Sequence, residues 1–344
     1  MNLHCPLPKL DFDIITLGHG SGGLLMHELL NKTVLEIFKN DLLDQQHDGA
    51  SFTLPGPLAF STDSYVVSPV FFPGGNIGDL AVNGTVNDLA MCGAQAKYLS
   101  LAFILEEGLE VSVLARIVDS MRLAAEEAGV YIVAGDTKVV QRGKADGVYI
   151  TTAGVGLLPG GRHIGGAQAQ PGDVVLLSGS LGDHGIAVLA ARGELGFETS
   201  VSSDVAPLNH LVNAMLEASS NIHVLRDPTR GGLGTTLNEI AAQSQVCIQI
   251  DENALPVRPE VSAACEMLGF DPLYIANEGK LVAIVAPGDA ERILQAMHAT
   301  RYGEEALRIG EVLPAPSGRV LMRTRIGGTR LVDRLSGELL PRIC

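Results

Sequence analysis

Tryptophan is absent from the 344 residues, and aromatics make up only 4 %. Little is left with which to stack the bases of single-stranded nucleic acid. Basic residues are also few: 24 Lys and Arg against 39 Asp and Glu give a net charge of −15. Phosphate backbones and anionic membranes are bound by clustered cations, so neither nucleic acid nor a membrane is expected as a partner. Nucleotides are not excluded, because backbone N–H groups and metal ions can hold their phosphates. No apolar run approaches the ~18 residues of a membrane span. The opening MNLHCPLPKLDFD lacks the basic-then-apolar order of a secretory signal. The five cysteines (Cys5, Cys92, Cys247, Cys265 and Cys344) are odd in number and form no CxxC pair. That pattern fits a reducing cytosol, and hence a cytoplasmic protein, rather than a disulfide framework or a structural zinc site. Cys92, Cys247 and Cys265 lie in apolar segments and are expected to be buried.

What is present is core material: 46 % of residues are hydrophobic and 18 % charged. The length suggests two domains. Short apolar runs bounded by Gly or Asp predict strands at 57–62, 96–104, 130–135 and 147–158. Helices are predicted at 76–93 and 112–129, the second carrying Val113, Ile117, Met121, Leu123 and Ala124 on its apolar side and stopping at Gly129. The stretch LPGGRHIGGAQAQPGD (158–173) breaks the pattern and marks a boundary. A second block follows, with strands at 173–179, 246–250, 280–287 and 306–313. Its helices are expected at 185–193 and near 207–219, 232–244, 259–268 and 288–300. RIGGTR reads as a hairpin turn. The expected organisation is an α/β (α+β) chain with units at 1–160 and 161–318 and a hairpin and tail at 319–344.

Several motifs carry chemistry. LGHGSGGLLMHELL sets Gly18, Gly20, Gly22 and Gly23 around Ser21, ahead of an apolar helix. Glycine allows close backbone approach and a helix N-terminus attracts anions, so Gly20, Gly22 and Gly23 are candidate phosphate contacts. The loop is equally compatible with a tight turn, and no Gly-Lys-Ser/Thr follows to make it a Walker A loop. Asp63 ends an apolar strand, Asn87 and Asp88 interrupt an apolar helix, and Asp136, Thr137 and Lys138 follow another apolar strand. Carboxylates in such places can hold Mg²⁺ against triphosphate oxygens, although one Asp alone is as often a cap. In the second block Asp183 and Asp227 precede glycines and helices, and Glu278 and Lys280 precede an apolar strand. Glu278 can act as a base if burial raises its pKa. Cys344 is the last residue; from composition alone it is as much an idle tail as a reactive thiol.

STDSYV, NDLAMCGA, GDTKV and RDPTRGGL, in this order, resemble the aminoimidazole ribonucleotide synthetase (PurM-like) superfamily. Selenophosphate synthetase and thiamine-monophosphate kinase are members. The resemblance spans roughly residues 14–315. The GHGSGG loop and the terminal PRIC single out the hydrogenase-maturation branch. For that branch the resemblance implies a two-domain homodimer, whose first sheet pairs with its copy. It implies ATP bound beneath the Gly-rich loop, with Gly20, Gly22, Gly23, Asn87, Thr137 and Asp227 near the nucleotide and Mg²⁺ on Asp63, Asp88 and Asp136. It also implies that Cys344 receives a carbamoyl group from the carbamoyltransferase HypF. ATP-dependent dehydration would turn that group into a thiocyanate, and the HypC–HypD complex would receive the cyanide for the [NiFe] hydrogenase iron. Lys138 would neutralise phosphoryl charge and Glu278 would take the amide proton. The rival expectations are another ATP-dependent enzyme of the superfamily, such as a small-molecule kinase or a selenophosphate synthetase type, and a maturation scaffold without catalysis.

Overall fold

The structure, a computed structural model, describes residues 12–46, 49–160, 164–193, 196 and 198–334. The first unit holds helix α1 (Leu24–Leu30), strand β1 (Leu58–Tyr65) and the short pair β2 (Phe71–Phe72) and β3 (Gly75–Asn76). Helix α2 (Ile77–Met91), β4 (Gln95–Glu106), α3 (Val111–Ala128), β5 (Tyr131–Val140) and β6 (Val148–Leu157) follow. Its four-stranded sheet runs β1-β6-β4-β5. The β4–β5 pair is parallel because α3 carries the chain across, and the other pairs are antiparallel.

Helix α2 starts at a reciprocal cap: the Asn76 side chain accepts from Gly78 N–H at 2.8 Å and Asp79 accepts from Asn76 N–H at 2.8 Å. It is buried nearly all round, between the sheet, α3 and the second unit. α3 is amphipathic instead. It buries Leu114, Ile117, Val118, Met121 and Ala125 and ends at Gly129 with φ +70°. Leu123, expected on its apolar side, is exposed. One face of the sheet is thus covered. The other is open, with Phe60 67 % and Ile104 40 % exposed.

The second unit comprises β7 (Val174–Leu177), α4 (Asp183–Arg192), α5 (Asn209–Ala218), β8 (Ile222–Arg226), α6 (Gly232–Ser244) and β9 (Cys247–Asp251). The remainder is α7 (Pro259–Leu268), β10 (Val282–Val285), α8 (Ala290–His298), β11 (Leu307–Leu313), β12 (Arg319–Arg323) and β13 (Thr329–Val332). Its seven strands run β13-β12-β9-β11-β7-β10-β8. α6 covers one face through Leu233, Leu237 and Ile240, and α5 and α8 cover the other through Leu211, Met215, Ile293 and Met297. β7 and β10, wedged between these layers, are buried at every residue.

Four expectations change. β1 and β5 run on past their apolar stretches, so Asp63 and Asp136 lie within strands rather than after them. β8 was not foreseen. The β12–β13 hairpin, expected as a segment apart, extends the second sheet by pairing β12 in parallel with β9. Cys247 and Cys265 are buried, but Cys92, at the C-cap of α2, is exposed.

Candidate active site

Two groups of candidate residues stand apart in one chain. The first surrounds a cleft of about 330 Å³ under the Gly-rich segment. Met26, Leu30, Val34, Leu101, Phe103 and Ile132 give it apolar walls, and Gly22, Asp136 and Thr137 also line it. The backbone of Gly20 presses on Val139, where a Cβ would come within 2.9 Å of the Val139 nitrogen. Gly22 adopts φ +76°, and Gly23 is the N-cap of α1. The cleft therefore fits the base of a nucleotide, with glycine backbone at hand for its phosphates.

The second group lies where the two units meet. Ser61 on β1 donates to Asp88 Oδ2 on α2 at 2.6 Å. Burial raises the pKa of Asp88, Ser61 opposes that, and the neighbouring Asp63 adds to it. Asp227 is pushed up to about 6, first by burial and then by Asp88. Glu278 is buried and lies well above the usual carboxylate range, through burial and then the charges of Asp227, Asp204 and Asp63. Its Oε1 is buried with no hydrogen-bond partner among the described residues. Arg230 Nη2 stands 3.8 Å from Asp63 Oδ1. These carboxylates desolvate and repel one another, which is the environment that tunes a carboxyl for proton transfer near neutral pH.

Backbone contacts lock the group together. Asn277 donates to Pro228 O at 3.0 Å and accepts from Gly182 N–H at 2.7 Å. Gly232, at φ +61°, packs so tightly on the 273–275 backbone that a Cβ would lie 2.5 Å from Leu273 O. Asn87 donates to Ala206 O at 3.0 Å and Glu278 O at 3.2 Å and accepts from Leu208 N–H at 2.7 Å. Asn87, expected at the nucleotide, is thus a bracket between the two units, its amide already engaged.

The expected Mg²⁺ set is divided in the same way. Asp63 and Asp88 are together, but Asp136 is on β5, three strand spacings from β1, or ~14 Å. Asp136 pairs with Lys138 at 2.6 Å, and that hydrogen bond holds its pKa down. Among the described residues, no three acidic, His or Cys side chains surround one metal position. Mg²⁺ binds through one or two carboxylates plus phosphate oxygens and water, and the Asp63–Asp88 pair suits that mode. Cys344 and Cys5 lie outside the described residues.

Two family models divide the chain between them. Residues 46–158 match the AIR synthase related protein, N-terminal domain, and residues 170–323 its C-terminal domain. Carbamoyl dehydratase HypE of Azotobacter vinelandii is 56 % identical over 96 % of this chain and 97 % of its own length. The chain belongs to the HypE family of carbamoyl dehydratases. A solved HypE in complex with ATP superposes with a TM-score of 0.92 at 52 % identity, covering 95 % of this chain and 99 % of that one. A solved HypE–HypF complex gives 0.79 at 48 % identity, covering 91 % and 100 %.

Sequence reading missed two members of this second group. Asp204, on an irregular segment, forms a buried ion pair with Lys280 at 3.2 Å. Burial works against its charge, but Lys280 and then His184 outweigh it and lower its pKa. Arg230 was inside a quoted motif, yet only the motif's Asp was singled out.

The raised pKa of Asp227 predicts a stability change. Between its ordinary 3.8 and about 6, the folded chain keeps a proton that the unfolded chain has released. This contribution to stability is complete below pH 4 and is lost as pH rises through about 6. Asp227→Asn should be more stable than wild type near pH 7.5, by about 3 kcal/mol, and the gap should close near pH 4. Urea unfolding at the two pH values measures this; equal curves at both would show that the carboxylate is under no strain.

Proposed function

We propose that this chain dehydrates a carbamoyl group carried on Sγ of its own Cys344, giving a thiocyanate and consuming ATP, in the maturation of [NiFe] hydrogenase. The observation that supports this most is Glu278: a buried carboxyl with an oxygen that has no hydrogen-bond partner among the described residues, its pKa raised by burial and then by Asp227, Asp204 and Asp63. It is placed to receive a proton from a weakly acidic group, and an amide N–H is one.

The carboxamide oxygen is a poor leaving group until it is esterified. Its attack on the γ-phosphorus releases ADP and forms a C–O–P linkage. Cleavage of the C–O bond expels phosphate as the two N–H protons leave, and the S–C≡N group remains. The cleft under the Gly-rich segment holds the nucleotide, with Gly20, Gly22 and Gly23 at its phosphates and Thr137 and Asp136 at its edge. Bound Mg²⁺ supplies charge neutralisation at the phosphates. Asp63 and Asp88 hold it in place, and Asp227 keeps the surroundings acidic. Lys138 offsets phosphoryl charge, and Glu278 takes an amide proton.

The tail fits a three-stop itinerary. From Asp333 to Cys344 it can span ~35 Å, so one thiol can visit HypF for loading, the cleft for dehydration and the HypC–HypD complex for delivery. These partners, and a cytoplasmic location, belong to the same proposal; no described helix is long and apolar enough to cross a membrane.

A homodimer through the open sheet face completes it. Leu58, Phe60 and Ile104 are exposed, and Asp136 and Lys138 are on the edge strand of this sheet. A two-fold axis parallel to the strands would lay β5 of one chain over β1 of its mate, bringing Asp136 and Lys138 towards the other group. Sedimentation should give a dimer at micromolar concentration, and Phe60→Asp should give monomers. A monomeric wild type would sink this part.

The central claim is tested by mass. Wild type loaded by its carbamoyl donor system should gain one carbamoyl group, then lose the mass of one water when ATP is added. ATP turnover on a small molecule with no change in protein mass would favour a kinase; no turnover would favour a scaffold.

A further inference from the structure

Asp204 is on an irregular stretch between α4 and α5, yet its side chain is only 3 % exposed. Burying a charged carboxylate is costly unless it is paired and hydrogen-bonded. Both conditions are met, and both lead to the neighbourhood of the proposed base. Oδ1 accepts from Glu278 N–H at 3.0 Å. Oδ2 pairs with Lys280 Nζ at 3.2 Å. Between them Gly279 has no room for a side chain, because a Cβ there would collide with Asp204 O. Asp204 thus grips three consecutive residues, 278–280, through both carboxylate oxygens and its own main chain.

The grip is itself anchored. Ser203 N–H donates to Pro73 O at 2.8 Å, in the turn between β2 and β3, and a Cβ on Gly74 would lie 2.7 Å from the Ser203 nitrogen. On the far side Asn87 of α2 holds Ala206 O and Leu208 N–H. The stretch 203–208 is therefore tied at both ends to the first unit, which carries Asp63 and Asp88. The stem of Lys280 lies on Gly179, where a Cβ would come 3.0 Å from its Cε. A buried ion pair is often no more stabilising than apolar residues of the same size, so stability alone is a weak reason for this one. Fixing the neighbouring main chain is a stronger reason.

We propose that Asp204, steadied by Lys280, is the positioning residue of Glu278: it fixes the main chain from which the base projects, and so the point at which the amide proton is received. This rests on the dehydration proposed above, with Glu278 as its base. Asp204 does not meet the reacting group; it acts through Glu278. Its charge has a second effect. Among the described residues, Asp227, Asp204 and Asp63 raise the pKa of Glu278 and Arg230 lowers it, with buried Tyr65 also within its field. Lys280, His184 and Asp183 act in turn on Asp204. Removing the Asp204 charge should therefore move the titration of Glu278 to lower pH.

The test follows water loss from the carbamoyl group of the full-length chain by mass, in a single turnover with ATP. Asp204→Ala removes the acceptor for Glu278 N–H and should slow this step about 10- to 100-fold. Asp204→Asn keeps an oxygen there and should recover part of the rate. Added to Glu278→Gln, Asp204→Ala should cost no more than about twofold, because both changes act on one group. ATP affinity should stay within about twofold throughout. Either substitution strands the charge of Lys280, so Lys280→Met is added wherever a single variant fails to fold. The Glu278 carboxyl is also titrated in the unloaded protein through its infrared C=O band, identified by its absence in Glu278→Gln. In Asp204→Asn that band should titrate at lower pH. A full-rate Asp204→Ala, equal losses with and without the Glu278 carboxyl, or an unmoved band would each overturn the assignment. A wild-type chain that binds ATP but never loses water overturns the dehydration instead, and the infrared titration then decides alone whether Asp204 governs Glu278.

Discussion

Cys344→Ala should abolish every covalent product while leaving the fold and nucleotide binding as they are. The substitution removes one sulfur and changes none of the core residues described. Changes of that kind usually alter stability by less than ~0.5 kcal/mol. The nucleotide cleft is built from residues between Gly22 and Thr137, so ATP affinity should be unchanged. Wild type should gain a carbamoyl group and then lose the mass of one water with ATP; the variant should do neither. Deleting 341–344 should have the same effect. Residues added after Cys344 should leave loading intact but impair dehydration, because the site would have to admit them together with the carbamoyl group. Intact-protein mass spectrometry reads all of this. If the variant still carries the modification, the acceptor is another cysteine, and Cys5 and the exposed Cys92 are the ones to replace next.

Local pattern revealed much of the fold because the second block alternates apolar runs with helical periods. It failed at β8, Ile222–Arg226, a five-residue strand that also carries His223. It also ended β1 and β5 too early. Asp63 and Asp136 look like strand terminators in sequence, but the sheet tolerates them at positions that are not fully buried. The candidate site was legible as a set of motifs but not as an arrangement. The order β1-β6-β4-β5 separates Asp63 from Asp136, and nothing in the spacing of STDSYV and GDTKV reveals that order. Asn87 stands next to Asp88 in the chain, yet successive helical positions face different ways, and Asn87 meets the second unit instead. Asp204 could not be found locally. Its meaning comes from Lys280, which only the tertiary fold brings near.

Glu278→Gln separates chemistry from binding most sharply. Glutamine keeps the shape of the side chain. The two backbone contacts at this position, Glu278 N–H to Asp204 Oδ1 at 3.0 Å and Asn87 to Glu278 O at 3.2 Å, do not involve the carboxyl. Stability and ATP affinity should therefore hold, and removing a carboxyl that is costly to ionise can raise stability above neutral pH. The rate of water loss from S-carbamoyl Cys344 should fall about 100-fold or more, within the range for losing a general base. The pH dependence gives the more specific sign. A base must be unprotonated to accept a proton, and Glu278 is held well above the usual carboxylate range by burial and by Asp227, Asp204 and Asp63. The wild-type rate should rise with pH up to that raised pKa and then level off, whereas the residual rate of the variant should show no such rise. Asp227→Asn removes the largest neighbouring charge and should move the rise to lower pH. A purely structural Glu278 would instead give a variant with lowered stability and an unchanged pH profile, and wild-type rates in Glu278→Gln would remove this residue from the proton path.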